Sequence, residues 1–246
     1  MSIYEKLDPK RVNILTDKRV KPRTLILSLI STFAALNIMA DLIPFTPILG
    51  VPGASFRLGW VLAPLTGIML GPVAGGLSCI IASLVELFLG VQLWSFGVFS
   101  PFRAGLSAFQ AGLLISGKWK TSVTVLVFLM FMWIFLPSGR EALIVLSFHV
   151  FSLILILIFR SNIKKYANSP VLWKTALSLA TASYCGNISR HLFGNVLLIW
   201  LTGIPSSIFL LALPLTLTEQ FTFTTATTIL VVALSRTHIR ELTDSF

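Results

Sequence analysis

Within an otherwise strongly apolar chain, the segment "CGNISRHLFGN", Cys185 to Asn195, gathers several polar residues. On an α-helix Asn187, Arg190, His191, Gly194 and Asn195 fall at offsets 0, 3, 4, 7 and 8, which is one face. They offer a permanent cation, an imidazole and two carboxamides, a set suited to holding a small polar ligand through several donors. Glu219, in "LPLTLTEQFTFTTATT", adds an acid, as do Glu86 and the more terminal Asp41, while Arg103 and Arg57 add further cations. A charge at the centre of a membrane helix costs about 2.5–3.5 kcal/mol, so Arg190 and Glu219 must face protein, an opposite charge or water. Two readings stay open: Arg190 and Glu219 form a buried pair that fixes helix register, or they line a ligand site with Asn187, His191, Asn195, Glu86 and Arg103. Arg57, Arg103, Arg140 and Glu141 also suit the role of interface anchors.

The elements that must position these residues are membrane helices. The chain has 246 residues, 55% hydrophobic and 11% charged, with a mean hydropathy of +0.89. That composition leaves too little polar surface for a water-soluble globule. Apolar runs near 24–43, 57–71, 73–90, 102–117, 121–136, 141–159, 174–203 and 207–235 predict an all-α polytopic bundle of six to eight spans. The short runs at 57–71 and 73–90, separated by Gly71-Pro72, decide the number.

The net charge of +10 is sorted by loop. Basic residues cluster before Thr24, at Lys118 and Lys120, at Arg160, Lys164, Lys165 and Lys174, and at Arg236 and Arg240. Alternating the spans from a cytoplasmic N-terminus puts fifteen of the 19 Lys and Arg inside. The sequence thus predicts a basic cytoplasmic tail over 1–23, a transmembrane domain over 24–235 and a cytoplasmic tail over 236–246, in a cell membrane. It assigns the positive charge to lipid headgroups and not to nucleic acid. The polar tail is too long for the start of an export signal, so the first span is expected to be retained. Counted at 1.5 Å per residue from the inner end, Arg190 lies roughly 24 Å up, in the outer half, and Glu219 about 18 Å from the outer end.

Other motifs are informative mainly by exclusion. "GLLISGKW", Gly112 to Trp119, spells G-x-x-x-x-G-K, but Trp119 stands where the magnesium-binding hydroxyl belongs and the motif ends an apolar span. His149, His191 and His238 lack zinc spacing and no G-x-S-x-G occurs, so no catalytic residue, metal or cofactor is expected. Cys79 and Cys185 read as small core residues. Small residues recur at helical spacing: Gly59, Ala63, Gly67 and Gly71, then Ala104, Ala108 and Gly112, and a shorter Ser31 and Ala35. Such stripes allow close helix approach in lipid, and internal packing is the expected use of most of them. The threonines of the last run are expected to bond back to their own helix. The first loop, "IPFTPILGVPGASF", is stiffened by proline yet apolar, which predicts a lid folded over the outer mouth of a cavity.

Residues 48 to 90, "ILGVPGASFRLGWVLAPLTGIMLGPVAGGLSCIIASLVELFLG", resemble the substrate-binding subunits, or S components, of energy-coupling factor transporters. The resemblance rests on Pro52-Gly53, Gly71-Pro72, Gly75-Gly76 and Glu86, and extends to "GNISRHLFGN" and "IPSSIFLLALPLTLTEQF", leaving 118–173 aside. It implies a membrane subunit that captures a vitamin-like or other small micronutrient from outside. Uptake is then driven by a transmembrane coupling protein and cytoplasmic ATPases. The family usually has six helices, so eight runs mean either that two were added around 121–159 or that the assignment to the family fails. Many members carry an Ala-x-x-x-Ala docking pair on the first helix, whose nearest equivalent here is Ser31 and Ala35, with serine in the first place. Two other readings stand beside it. One is a membrane enzyme acting on a lipid or isoprenoid headgroup through Arg190, His191 and Glu219. The other is a structural subunit of a larger membrane complex.

Overall fold

The computed structural model describes residues 22–47, 55–90 and 97–236, and apart from one small hairpin these are helical. Helix α1 spans Pro22–Asp41. An antiparallel hairpin follows, pairing β1 (Pro44–Pro47) with β2 (Ser55–Arg57). The tip of the expected lid, from Ile48 to Ala54, lies outside the described residues, as do the tails 1–21 and 237–246. Then come α2 (Gly59–Leu70), α3 (Pro72–Phe88), a 3₁₀ turn at Gly97–Phe99, α4 (Ser100–Ile115) and α5 (Trp119–Phe135). The short α6 (Pro137–Glu141) and a 3₁₀ turn at Leu143–Leu146 lead into α7 (Ser147–Phe159). After the short α8 (Ile163–Ala167), the chain closes with α9 (Leu172–Thr202) and α10 (Ser206–Arg236).

A helix lies in each apolar run that the sequence marks out. Among the described residues three are long and apolar enough to cross a membrane, within Thr24–Asp41, Gly97–Ile115 and Ser206–Leu234. Gly59–Leu70, Pro72–Phe88, Trp119–Phe135 and Leu143–Phe159 are apolar but shorter. Helix α9 has 31 residues, a length of about 46 Å, with its polar segment in the middle.

Gly71 turns α2 into α3 with a φ of 80°, and Pro72 opens α3 where its missing N–H costs nothing. "GLLISGKW" is another helix–helix turn: Gly117 has a φ of 80° and Lys118 N–H donates to Leu113 C=O at 2.8 Å. No strand precedes it, so the phosphate-loop reading fails on structure as it does on sequence.

Helices α2, α3 and α4 pack at backbone distance. A Cβ on Gly67 would run into the Ala108 carbonyl, and one on Gly112 would stand 2.5 Å from the Pro72 nitrogen. The two long small-residue stripes therefore pack inside the molecule, in the α2–α3–α4 layer. Helix α9 is the axle: every residue from 181 to 190 is buried. One apolar cluster, with Leu129, Trp133, Val145, Leu192 and Phe209, packs along its C-terminal half, and another, with Leu114, Leu126, Ile156 and Ile188, along its N-terminal half.

The polarity of the molecule is inverted relative to a soluble protein. Phe88, Leu211 and Phe135 are 88%, 82% and 73% exposed, whereas Glu86, Gln110, His149 and Asn187 are 0% exposed. Polar residues gather inside and large apolar side chains face outward.

Candidate functional site

Helix α1 has two faces. Asn37 and Asp41, one turn apart, are buried, while Ser31 and Ala35 are exposed. Asn37 Nδ2 donates to Phe33 C=O at 2.8 Å and to Thr66 Oγ1 at 2.9 Å, joining α1 to α2. Asp41 lies over Gly59, where any Cβ would strike its carboxylate. The next link is the hairpin: Arg57 Nη1 donates to the Asp41 carbonyl at 2.6 Å and Leu58 N–H to Ile43 C=O at 3.0 Å. The hairpin is thereby fastened to the end of α1.

Arg190, projecting from α9, is 3% exposed, and its guanidinium carbon stands 4.0 Å from the centre of the Trp60 ring. Arg103, near the start of α4, approaches the same ring at 5.4 Å. Both distances place a cation against an aromatic π-system, a favourable arrangement when water is excluded. Gly194 makes room for Arg103, since a Cβ there would be 2.8 Å from its Nε. The acids acting on Arg190 are Asp41 and Glu86, and these two carboxyls adjoin each other. Ser83 Oγ also reaches Glu86 Oε2, at 3.4 Å.

Aromatic rings cover this cluster. Phe56 packs edge-on against Trp60 at 5.0 Å and against Phe223 of α10 at 5.4 Å; Trp60 and Phe223 stand 5.5 Å apart and Phe45 and Phe223 5.9 Å. The two phenylalanines of the hairpin thus have the dry surface that their sequence required.

An uncharacterized protein of Methanocaldococcus jannaschii is 28% identical over 204 residues, covering 82% of this chain and 67% of that protein. No family model matches the chain, and no solved structure matches it.

The stripe seen in the sequence does not stay together. Asn187 Oδ1 accepts from Ser107 Oγ of α4 at 3.5 Å, and Arg190 and Gly194 face Trp60 and Arg103. His191 and Asn195 turn toward α7: His191 stacks on His149 with ring centres 6.3 Å apart, and its Nδ1 is 3.3 Å from Asn195 Nδ2. Arg103 is the charge that connects the two groups, acting on both Arg190 and His191. Glu219 is half-buried and is not among the charges acting on Arg190, so the Arg190–Glu219 pair weighed from sequence gives way to Arg190 with Asp41 and Glu86. Depth along the helices puts Arg190 and Glu219 close to one level, but depth carries no information about azimuth.

Trp60, Asn37, His149, Gln220 and Phe223 escaped the sequence reading. Trp60 had a signal, an aromatic directly after the proline-rich loop; His149 had none beyond its place in an apolar run. The threonines of α10 divide. Thr218, Thr222 and Thr228 bond to carbonyls of their own helix, whereas Thr227 donates to Val61 C=O of α2 at 2.8 Å. Among the described residues, no group of three His, Cys, Asp or Glu side chains is placed to hold a metal ion.

Proposed function

We propose that this chain is a multi-pass subunit of the cell membrane that captures a small solute from outside, as the S component of an energy-coupling factor importer does. The observation that carries the reading is the pair Arg103 and Arg190 at the Trp60 ring, enclosed under the hairpin's Phe45 and Phe56. A core that only holds helices together has no use for two convergent cations, which are costly in a dry interior. An apolar exterior around this interior supports residence in lipid. The loop charges support eight crossings with both termini cytoplasmic. That orientation turns the hairpin and Trp60 toward the outside.

The chain supplies a site but no nucleotide-binding motif, so transport energy comes from partners, a transmembrane coupling protein and cytoplasmic ATPases. Ser31 and Ala35 lie on the exposed face of α1 with Leu27 and Met39, each 64% exposed, and this face is the proposed docking surface for the coupling protein.

The test is affinity purification of the full chain from native membranes in mild detergent, with mass spectrometry of proteins and small molecules. Recovery of ATPase subunits together with a bound solute is the expected result. A chain that brings down other membrane subunits but neither ATPase nor solute is a structural component instead, and the transport reading is wrong.

A further inference from the structure

The open hydrogen-bonding positions near Trp60 are mainly donors. Arg190, 3% exposed, has no hydrogen-bond partner for Nε or Nη1 among the described residues. Neither has Nδ2 of Asn187, which is 0% exposed and lies one turn earlier on α9. Gln220, 1% exposed, leaves both amide atoms without a partner and shares the inner face of α10 with Phe223, which touches Trp60, and Thr227, which bonds α2. Buried N–H groups are rarely left without acceptors, because each loses its hydration and gains nothing in return.

Charge points the same way. Arg57, Arg103 and Arg190 outnumber Asp41 and Glu86, the two acids grouped with them. Asp41 Oδ1 and Gln220 Oε1 are open acceptors, fewer than the open donors beside them.

We propose that the cluster at Trp60 binds a small organic anion, a carboxylate or a phosphate ester. Arg190 and Arg103 hold its charge, Asn187 and Gln220 its remaining polar atoms, and the rings of Phe56, Trp60 and Phe223 its apolar part. Neutral or cationic solutes of the same size are excluded, because they leave the open donors of Arg190 without a charged acceptor in a dry site. The inference rests on the proposed transport role only in calling this anion the cargo. The same chemistry also describes the headgroup of an anionic lipid.

The experiment is a thermal-unfolding titration of the purified full chain in detergent with benzoate and phenyl phosphate, against benzamide and benzylamine as neutral and cationic counterparts. The two anions are expected to raise the melting temperature with dose and the counterparts to leave it unchanged. Arg190→Gln should weaken anion binding by about 10-fold or more. Should that variant fail to fold, Gln220→Leu decides: it removes the amide at similar volume, so it should melt no lower than the native chain yet bind phenyl phosphate several-fold more weakly. Equal stabilisation by benzamide, no response to either anion, or native anion affinity in folded Gln220→Leu overturns the proposal. Native mass spectrometry separates the sources. A co-purifying soluble anion identifies cargo, whereas a bound anionic phospholipid keeps the anion site and removes the transport role. Uptake of a neutral solute with ATPase partners would do the reverse, keeping the transport role and overturning the anion site.

Discussion

Helix α9 presents its two sides to different surroundings. Toward α1–α4 it meets helices packed through Gly67, Ala108 and Gly112 at backbone distance, and there Arg190 lies among Asp41, Glu86, Arg103 and Trp60. Toward α5 and α7 it meets Leu129, Trp133, Val145 and Leu146, and the polar groups on that side include His149, stacked on His191, Ser152, which donates to Cys185 Sγ, and the Trp133 indole. The glycine side encloses full charges and the bulky side none. The difference is one of rigidity and of pairing. Backbone-to-backbone contacts leave little slack, so a cluster of opposite charges is held in register, while long apolar side chains can repack around an imidazole.

The largest expected effect comes from breaking the rigid side. Gly67→Leu drives a side chain into the Ala108 carbonyl, and the variant should give no monodisperse protein on size-exclusion chromatography in detergent. Leu129→Ala on the other side removes volume only and should fold with a lower melting temperature, at a cost of about 2–5 kcal/mol. Equal behaviour of the two would erase the distinction.

Next in size is the charge cluster. Arg190→Gln leaves Asp41 and Glu86 together without their shared cation, a loss of about 3–5 kcal/mol for a broken buried pair. Adding Glu86→Gln should recover part of it, and adding Glu219→Gln should recover none, as read by a double-mutant cycle on melting temperature. Rescue by the Glu219 change would restore the pairing first weighed from the sequence.

The smallest effects belong to the neutral side and the outer face. His149 donates from Nδ1 to Val145 C=O at 3.0 Å and leaves Nε2 without a hydrogen bond among the described residues. His149→Leu should therefore change stability by no more than about 1 kcal/mol and spare anion binding. Ala35→Leu, on an exposed face of α1, should leave the melting temperature unchanged but reduce co-purification of ATPase partners. A fall in melting temperature would show that Ala35 packs against its own chain.

Much of the helix layout was legible because hydrocarbon runs and their interruptions are local signals. Gly71-Pro72 and Gly117 mark turns for reasons of φ and a missing N–H, and the structure turns there. The site was legible in part. The residue types in "CGNISRHLFGN" identified α9 as the helix with unusual polar content, but its common face divides between α4 and α7. The angular width of such a stripe, about 140° from Arg190 to Asn195 at 100° per residue, is enough to reach two neighbours around a central helix. Trp60 and Phe223 were invisible as site residues because an aromatic in an apolar run has the same local pattern whether it meets lipid or an arginine.

The sequence by itself determined the inverted polarity, the all-α class, the turns at glycine and the need for buried partners wherever a charge falls within a helix. These follow from composition and from spacing along one chain, which fix what each helix must find but not where. Only the tertiary structure decided that Arg190 finds Asp41 and Glu86 instead of Glu219, that Gly59 and Gly194 clear space for a carboxylate and a guanidinium, and that Phe56 closes over Trp60 and Phe45 over Phe223. Those choices depend on the azimuth at which each helix faces its neighbours. Azimuth is set by the close contacts of Gly67 with Ala108 and Gly112 with Pro72, between residues far apart in the chain.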